Sequence, residues 1–145
     1  ALGMSLGAHA FDACKTGETA SERAGKMRIM VADVAATEDA MAKIAEQVNM
    51  LTADKSCDNP NDCAAIGWGI DPCGNFRSFL VYNASQVDAS ALERLAEQYN
   101  QLDQELNQLT EAEITTDCSV FLAEPVLDCV EQVCESQGDR YVVIN

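Results

Sequence analysis

The sequence predicts an α+β fold of two long packed helices and a small disulfide-tied sheet. Three observations carry this: two extended stretches of helical apolar spacing, a turn-rich cysteine knot between them, and a β-branched, cysteine-bearing C-terminal third. At 145 residues the chain is long enough to bury a core of its own. The reading places a single disulfide-stapled domain over residues 11–145, preceded by a short apolar stretch at 1–10.

The first helix begins at Thr19-Ala20-Ser21-Glu22, which has the Thr-x-x-Glu form of a capping box. Apolar residues then recur at Met27, Met30, Val34, Met41, Ile44, Val48 and Leu51 in a heptad pattern whose weak point is Thr37. That continuity predicts one helix to about residue 53; the competing reading is a break near Ala36-Thr37-Glu38-Asp39, with Thr37 capping a second helix. An unbroken helix of this length spans about 50 Å at about 1.5 Å per residue, whereas bridged Cα atoms lie within about 7 Å. Cys14 then cannot pair with Cys57 and is either a free thiol or the partner of a cysteine late in the chain.

Between the helices, Cys57 to Asn83 gathers Cys57, Cys63 and Cys73 with two prolines, several glycines and the sole tryptophan, Trp68. Ala64–Trp68 and Phe79–Tyr82 read as strands in this knot. The second helix opens at Ser90-Ala91-Leu92-Glu93, another capping box, with Asp88 as a rival cap. Leu92, Leu95, Tyr99, Leu102, Leu106 and Leu109 form its stripe, with Glu, Gln, Asn and Asp between them. This stripe needs a long apolar partner. The first helix supplies one, predicting lengthwise, antiparallel packing; a dimerisation seam between copies is the alternative.

In the last third, Ser119–Leu122 reads as a strand, Val126 to Cys134 as a tight hairpin around Glu131-Gln132, and Tyr141–Ile144 as a β-branched strand. With Phe79–Tyr82, and with Ala64–Trp68 as a further candidate, these strands suit a small mixed or antiparallel sheet.

Composition limits function. With 24 acidic against 9 basic residues the formal charge is −15, which repels nucleic acid and anionic lipid and favours cationic partners. No apolar run approaches the ~18 residues of a membrane span. Seven cysteines without a C-x-x-C motif point to a bridge framework in an oxidising compartment, with Cys57, Cys63, Cys73, Cys118, Cys129 and Cys134 as the disulfide candidates and Cys14 as the possible free thiol. Cys57/Cys63, Cys129/Cys134 and Cys63/Cys73 are the local pairings, structural rather than redox at these spacings; spacing leaves the connectivity open. Ala8-His9-Ala10 matches the small-x-small pattern of a signal peptidase site, so residues 1–10 read as a signal-peptide remnant, or as a retained N-terminal arm.

His9 is the only histidine, and without it a mature chain has no catalytic triad, Cys-His pair or histidine metal ligand. No cofactor motif is present, and no carboxylate pair singles itself out as acid and base. Asp58-Asn59-Pro60-Asn61-Asp62 invites a calcium reading but has neither the glycine nor the distal glutamate of an EF-hand; Asx residues around proline also make turns. Asn83-Ala84-Ser85 is a glycosylation sequon. The most suggestive loop runs from Trp68 to Phe76, where Trp68, Ile70, Asp71 and Phe76 sit on a Gly/Pro turn pinned by Cys73, a pre-organised contact surface. The competing reading has Trp68 and Ile70 covering the core.

Several of these residues resemble one known group. Cys57, Asp62-Cys63, Gly69-x-x-Pro72-Cys73-Gly74, Phe79-Leu80-Val81-Tyr82, the helix with Leu92, Leu95 and Tyr99-Asn100, then Asp117-Cys118-Ser119, Cys129 and Cys134 resemble a family of uncharacterised bacterial secreted cysteine-rich proteins. The resemblance covers Cys57 to Cys134; the family usually has Cys-Gly-Gly-Pro where this chain has Cys73-Gly74-Asn75-Phe76. It implies an exported bacterial protein, periplasmic or secreted, and carries over no functional residue. The expectation is an extracytoplasmic, non-enzymatic protein-interaction module with an unknown protein partner. A structural subunit of an envelope assembly, with homo-oligomerisation, and a carboxylate-based enzyme or calcium-dependent protein are the alternatives.

Overall fold

The computed structural model describes residues 19–111 and 117–143, and for residues 26–31 the backbone alone. The readings of residues 1–10, Cys14, the Met27 and Met30 side chains and Ile144 lie outside the described residues. The chain divides into two units, residues 1–35 and 36–145.

Helix α1 spans Ala20–Leu51 without a break at Thr37. Its start is the expected capping box: the Thr19 hydroxyl accepts the Glu22 N–H at 3.1 Å, and the Glu22 carboxylate accepts the Thr19 N–H at 2.8 Å. In the second unit Met41 and Val48 are buried and Ile44 and Leu51 partly so, one stripe at helical spacing. Thr52 ends the helix by donating its hydroxyl to the Val48 carbonyl at 2.8 Å, and the Lys55 ammonium covers the Thr52 carbonyl at 3.3 Å before reaching the Val81 carbonyl at 2.8 Å.

A short 3-10 turn, Pro60–Asp62, leads into β1 (Cys63–Ile70), which pairs antiparallel with β2 (Phe76–Asn83). Helix α2 (Ala89–Leu109) follows, capped by Asp88, whose carboxylate accepts the Ala91 N–H at 3.3 Å. The rival cap is thus the one used, and Ser90 falls inside the first turn. Strands β3 (Val120–Leu122), β4 (Leu127–Val130), β5 (Val133–Ser136) and β6 (Tyr141–Val143) complete the chain. The β4–β5 turn is Glu131-Gln132, as the spacing predicts, with φ of 52° and 65°, the left-handed pair of a tight two-residue hairpin.

The small, disulfide-tied antiparallel sheet that the sequence predicts is present, divided into three two-stranded ladders, β1–β2, β3–β6 and β4–β5. What joins the ladders is sulfur and isolated backbone bonds. Disulfides link Cys57 to Cys129, Cys63 to Cys134 and Cys73 to Cys118, with Cα separations of 6.0, 5.6 and 5.6 Å. All six candidates are bridged, but none of the three local pairings forms. The reason is tertiary: the Cys57 N–H donates to the Gln132 carbonyl at 2.9 Å and the Cys134 N–H to the Lys55 carbonyl at 2.8 Å, bringing the β4–β5 hairpin against the 57–63 segment.

The core gathers Val48, Tyr82, Val87 and Leu92, with Ile44, Leu51, Ala64, Ile66, Trp68, Leu80 and Leu95 packed against them. Val48 shares this core with Leu92, while Met41 and Ala45 line a cleft of about 270 Å³ with Tyr99 and Leu106. The second half of α1 and α2 therefore run in opposite senses, as the stripes predict. The β1–β2 hairpin completes the core that they share.

Candidate functional site

The loop from Trp68 to Phe76 is built from the end of β1, a five-residue turn and the start of β2. Asp71 organises the turn. Its carboxylate accepts the Cys73 and Asn75 N–H groups at 2.9 and 3.0 Å, its own N–H donates to the Asn75 carbonyl at 2.7 Å, and its carbonyl accepts the Gly74 N–H at 2.9 Å. Gly74 sits at φ +87°, which glycine adopts without a Cβ penalty. The Cys73–Cys118 bridge fastens the turn to the segment before β3.

The four sequence-predicted contact residues part company here. Trp68 is half-buried, stacks on Tyr99 with ring centroids 4.0 Å apart and planes at 21°, and packs against the core. Ile70 is buried. Asp71 spends its carboxylate on the turn. Of the four, Phe76 alone presents a large apolar surface, 41% exposed, with its ring lying over Gly67 and inclined at 67° to the ring of Phe79, centroids 5.6 Å apart. A Cβ at Gly67 would fall 2.4 Å from the ring atoms of Phe76, so the missing side chain is what lets the ring lie flat on the strand.

Beneath the loop lies an arrangement that the helical pattern does not announce. Asn100, Asp103 and Asn107 of α2 face the end of β1 and bond its backbone. Asn100 accepts the Gly69 N–H at 2.7 Å and donates to the Gly67 carbonyl at 3.3 Å. Asp103 accepts the Ile70 N–H at 2.9 Å, and Asn107 donates to the Ile70 carbonyl at 2.8 Å. Arg77, from the neighbouring strand, closes the set with its Nε 2.8 Å from Asp103 and its Nη2 3.0 Å from Asn107. Three helix side chains thus do for this edge of β1 what a third strand would do elsewhere, satisfying backbone groups that are costly to bury unpaired. Gly69, at φ +81°, has Asp103 and Arg77 atoms within 3.1–3.3 Å of where a Cβ would stand, so the close approach depends on glycine.

The sequence reading assigned these three positions to the polar face of α2. Two signals were there: a 3-4 spacing of short amide and carboxylate side chains bordering the leucine stripe, and the alternate glycines Gly67 and Gly69 in a strand. Burial pushes the Tyr99 phenol above its ordinary range, and the Asp103 charge adds to this while Arg77 and the Trp68 contact oppose it. Burial likewise raises Tyr82, helped by Glu93, and lowers the Lys55 ammonium.

Within the Asp58–Asp62 run, Asn59 and Asp62 use their side-chain oxygens as a turn does. Asn59 accepts the Asn61 N–H at 2.9 Å, and Asp62 accepts the Asp58 and Asn59 N–H groups at 3.0 and 3.3 Å. The sequon asparagine, Asn83, is buried; its amide nitrogen donates to the Ser56 carbonyl and its oxygen accepts from the Ser85 N–H and hydroxyl. A glycan at this nitrogen does not fit the folded state. Among the described residues no helix is long and apolar enough to cross a membrane.

No protein-family model matches this chain, and no curated protein or solved structure matches it significantly.

Proposed function

We propose that the protein is an extracytoplasmic, non-enzymatic interaction module that engages a protein partner through apolar side chains held outward on its disulfide-tied β half, Phe76 foremost. The observation that carries this reading is the exposure of Phe76 at the start of β2, next to a turn fixed by both the Asp71 hydrogen bonds and the Cys73–Cys118 bridge. A contact group that is already ordered loses little entropy on binding. The charge of −15 favours a partner with a cationic face. Three disulfides fit an extracellular setting; bacterial export rests on the sequence resemblance alone. Trp68 and Ile70 support the loop from below in this reading.

The test is Phe76→Ser in the full chain, with circular dichroism as a check on folding. Affinity capture from periplasmic extract or culture medium, followed by binding measurements on the recovered partner, should show at least a tenfold loss of affinity. A folded variant that retains full affinity contradicts the assignment of Phe76.

A second reading, a subunit of a surface assembly, is favoured by β6. It pairs only with β3 among the described strands and leaves Tyr141 65% exposed, with Val142 and Val143 also exposed. An apolar strand of this kind is a template for pairing with another chain. Light scattering across a wide concentration range separates the readings: a persistent monomer counts against assembly.

A further inference from the structure

We propose that Cys57, Cys63, Cys129 and Cys134, once reduced, form a tetrathiolate site for a single zinc ion, so that the same four sulfurs hold two disulfides in an oxidising medium and a metal in a reducing one. The Sγ atoms of Cys57, Cys63 and Cys134 all lie within 4.8 Å of one another although they belong to two different bridges; Cys129, bonded to Cys57, stands outside that mutual distance and has to turn inward to complete the set. A tetrahedral zinc centre with Zn–S of about 2.3 Å places its sulfurs about 3.8 Å apart.

The backbone holds the four cysteines in place independently of their sulfur bonds. Cys129 and Cys134 are directly opposed in the β4–β5 ladder. The hairpin is docked on the 57–63 segment by the Cys57 N–H to Gln132 carbonyl bond, the Cys134 N–H to Lys55 carbonyl bond and the bridge between Ser56 and Val133. Cys63 opens β1 and is paired in register with Asn83. Two ligands therefore come from a short loop and two from a tight hairpin, the supply pattern of a closed structural zinc site. Cys57 and Cys134 are 5% and 3% exposed, which shelters a bound ion from solvent. Soft thiolates select zinc, cadmium or copper(I) over calcium or magnesium.

The chemistry balances with a dithiol as reductant. Each bridge takes up two electrons and two protons from one dithiol, which leaves as its own disulfide. One zinc ion then enters as four thiol protons leave, so affinity falls as the medium is acidified. Cys73 and Cys118 are not among these sulfurs and play no part. The inference goes beyond the interaction reading and stands or falls without regard to Phe76.

The full chain, reduced with a phosphine that does not compete for metal, is titrated anaerobically with cobalt(II). One equivalent should produce the intense visible bands and near-ultraviolet charge transfer of a tetrahedral tetrathiolate, and one equivalent of zinc should abolish them. The oxidised chain should give no such spectrum. Cys73→Ser/Cys118→Ser should retain the bands and Cys57→Ser/Cys63→Ser should lose them. Because the wild-type titration needs no substitution, it decides the matter by itself: a reduced wild-type chain without the tetrathiolate spectrum overturns the proposal, as does a Cys57→Ser/Cys63→Ser chain that keeps it. A zinc-dependent rise in the melting temperature of the reduced wild type, read by circular dichroism, is the expected companion result.

Discussion

Replacing Asp103 tests the helix-to-strand ladder most directly. Its Oδ2 accepts both the Ile70 N–H at 2.9 Å and the Arg77 Nε at 2.8 Å, and its side chain is 4% exposed against 45% for Arg77. The two bonds therefore have different worth. Asp103→Ala leaves the Ile70 amide buried without an acceptor, which costs about 1–3 kcal/mol. Arg77 can turn to water, so its half of the pair is worth at most about 1 kcal/mol. Alanine recovers about 0.5 kcal/mol in helix propensity. The net expectation is a loss of about 2 kcal/mol, with Asp103→Asn losing about half as much because it keeps an acceptor for the amide. Urea unfolding followed by the fluorescence of Trp68, stacked on Tyr99 one turn away, measures this, and amide exchange at Ile70 provides the local readout. If Asp103→Ala loses less than about 0.5 kcal/mol, the range of an ordinary surface substitution, the three helix side chains do not hold β1.

Gly69→Ala should cost at least about 1–2 kcal/mol, since φ +81° penalises a Cβ and Arg77 and Asp103 atoms crowd its place; a melting temperature equal to wild type would contradict this. Removing the Cys73–Cys118 bridge with paired serines frees a 45-residue separation in the unfolded chain and should cost up to about 4 kcal/mol on the chain-entropy account, measured as a shift in the urea midpoint. In acid, Glu22 and Asp54 matter: hydrogen bonds from Thr19 and Ser56 respectively hold each carboxyl below its ordinary value. The stability they add is present above the normal carboxylate range and is lost as pH falls through their lowered values, so Glu22→Gln should flatten the acid limb of the stability profile. In alkali the sign reverses. Tyr82 and Tyr99 are pushed above 10.0, so ultraviolet titration should show late-ionising phenols that Tyr82→Phe and Tyr99→Phe each remove, with stability falling as pH rises through their raised values.

Much of the architecture was legible because its signals are local. The Thr19/Glu22 capping box, the stripe from Met41 to Leu51 and the Glu131-Gln132 turn each depend on residues a few positions apart, and each appears where the spacing places it. The Ser90 cap was misplaced by two residues because Asp88 competes with equally sound chemistry. The contact loop was half legible. Its turn chemistry is written in Asp71, Pro72 and Gly74, but whether Trp68 points to solvent or to Tyr99 depends on a helix that begins about 20 residues later.

By itself, then, the sequence determined the class of fold, the approximate extent of the helices, the turns and which six cysteines are candidates for bridges, since capping, periodicity and turn formation are short-range effects. Only the tertiary structure decided which cysteines meet, that the strands divide into three ladders, and that Asn100, Asp103 and Asn107 face a strand edge instead of water. These outcomes turn on backbone donors and acceptors left over when separate elements pack, and every residue carries the same backbone groups. The 3-4 spacing of these three side chains and the alternate glycines of β1 become specific only once the strand edge that they meet is in place.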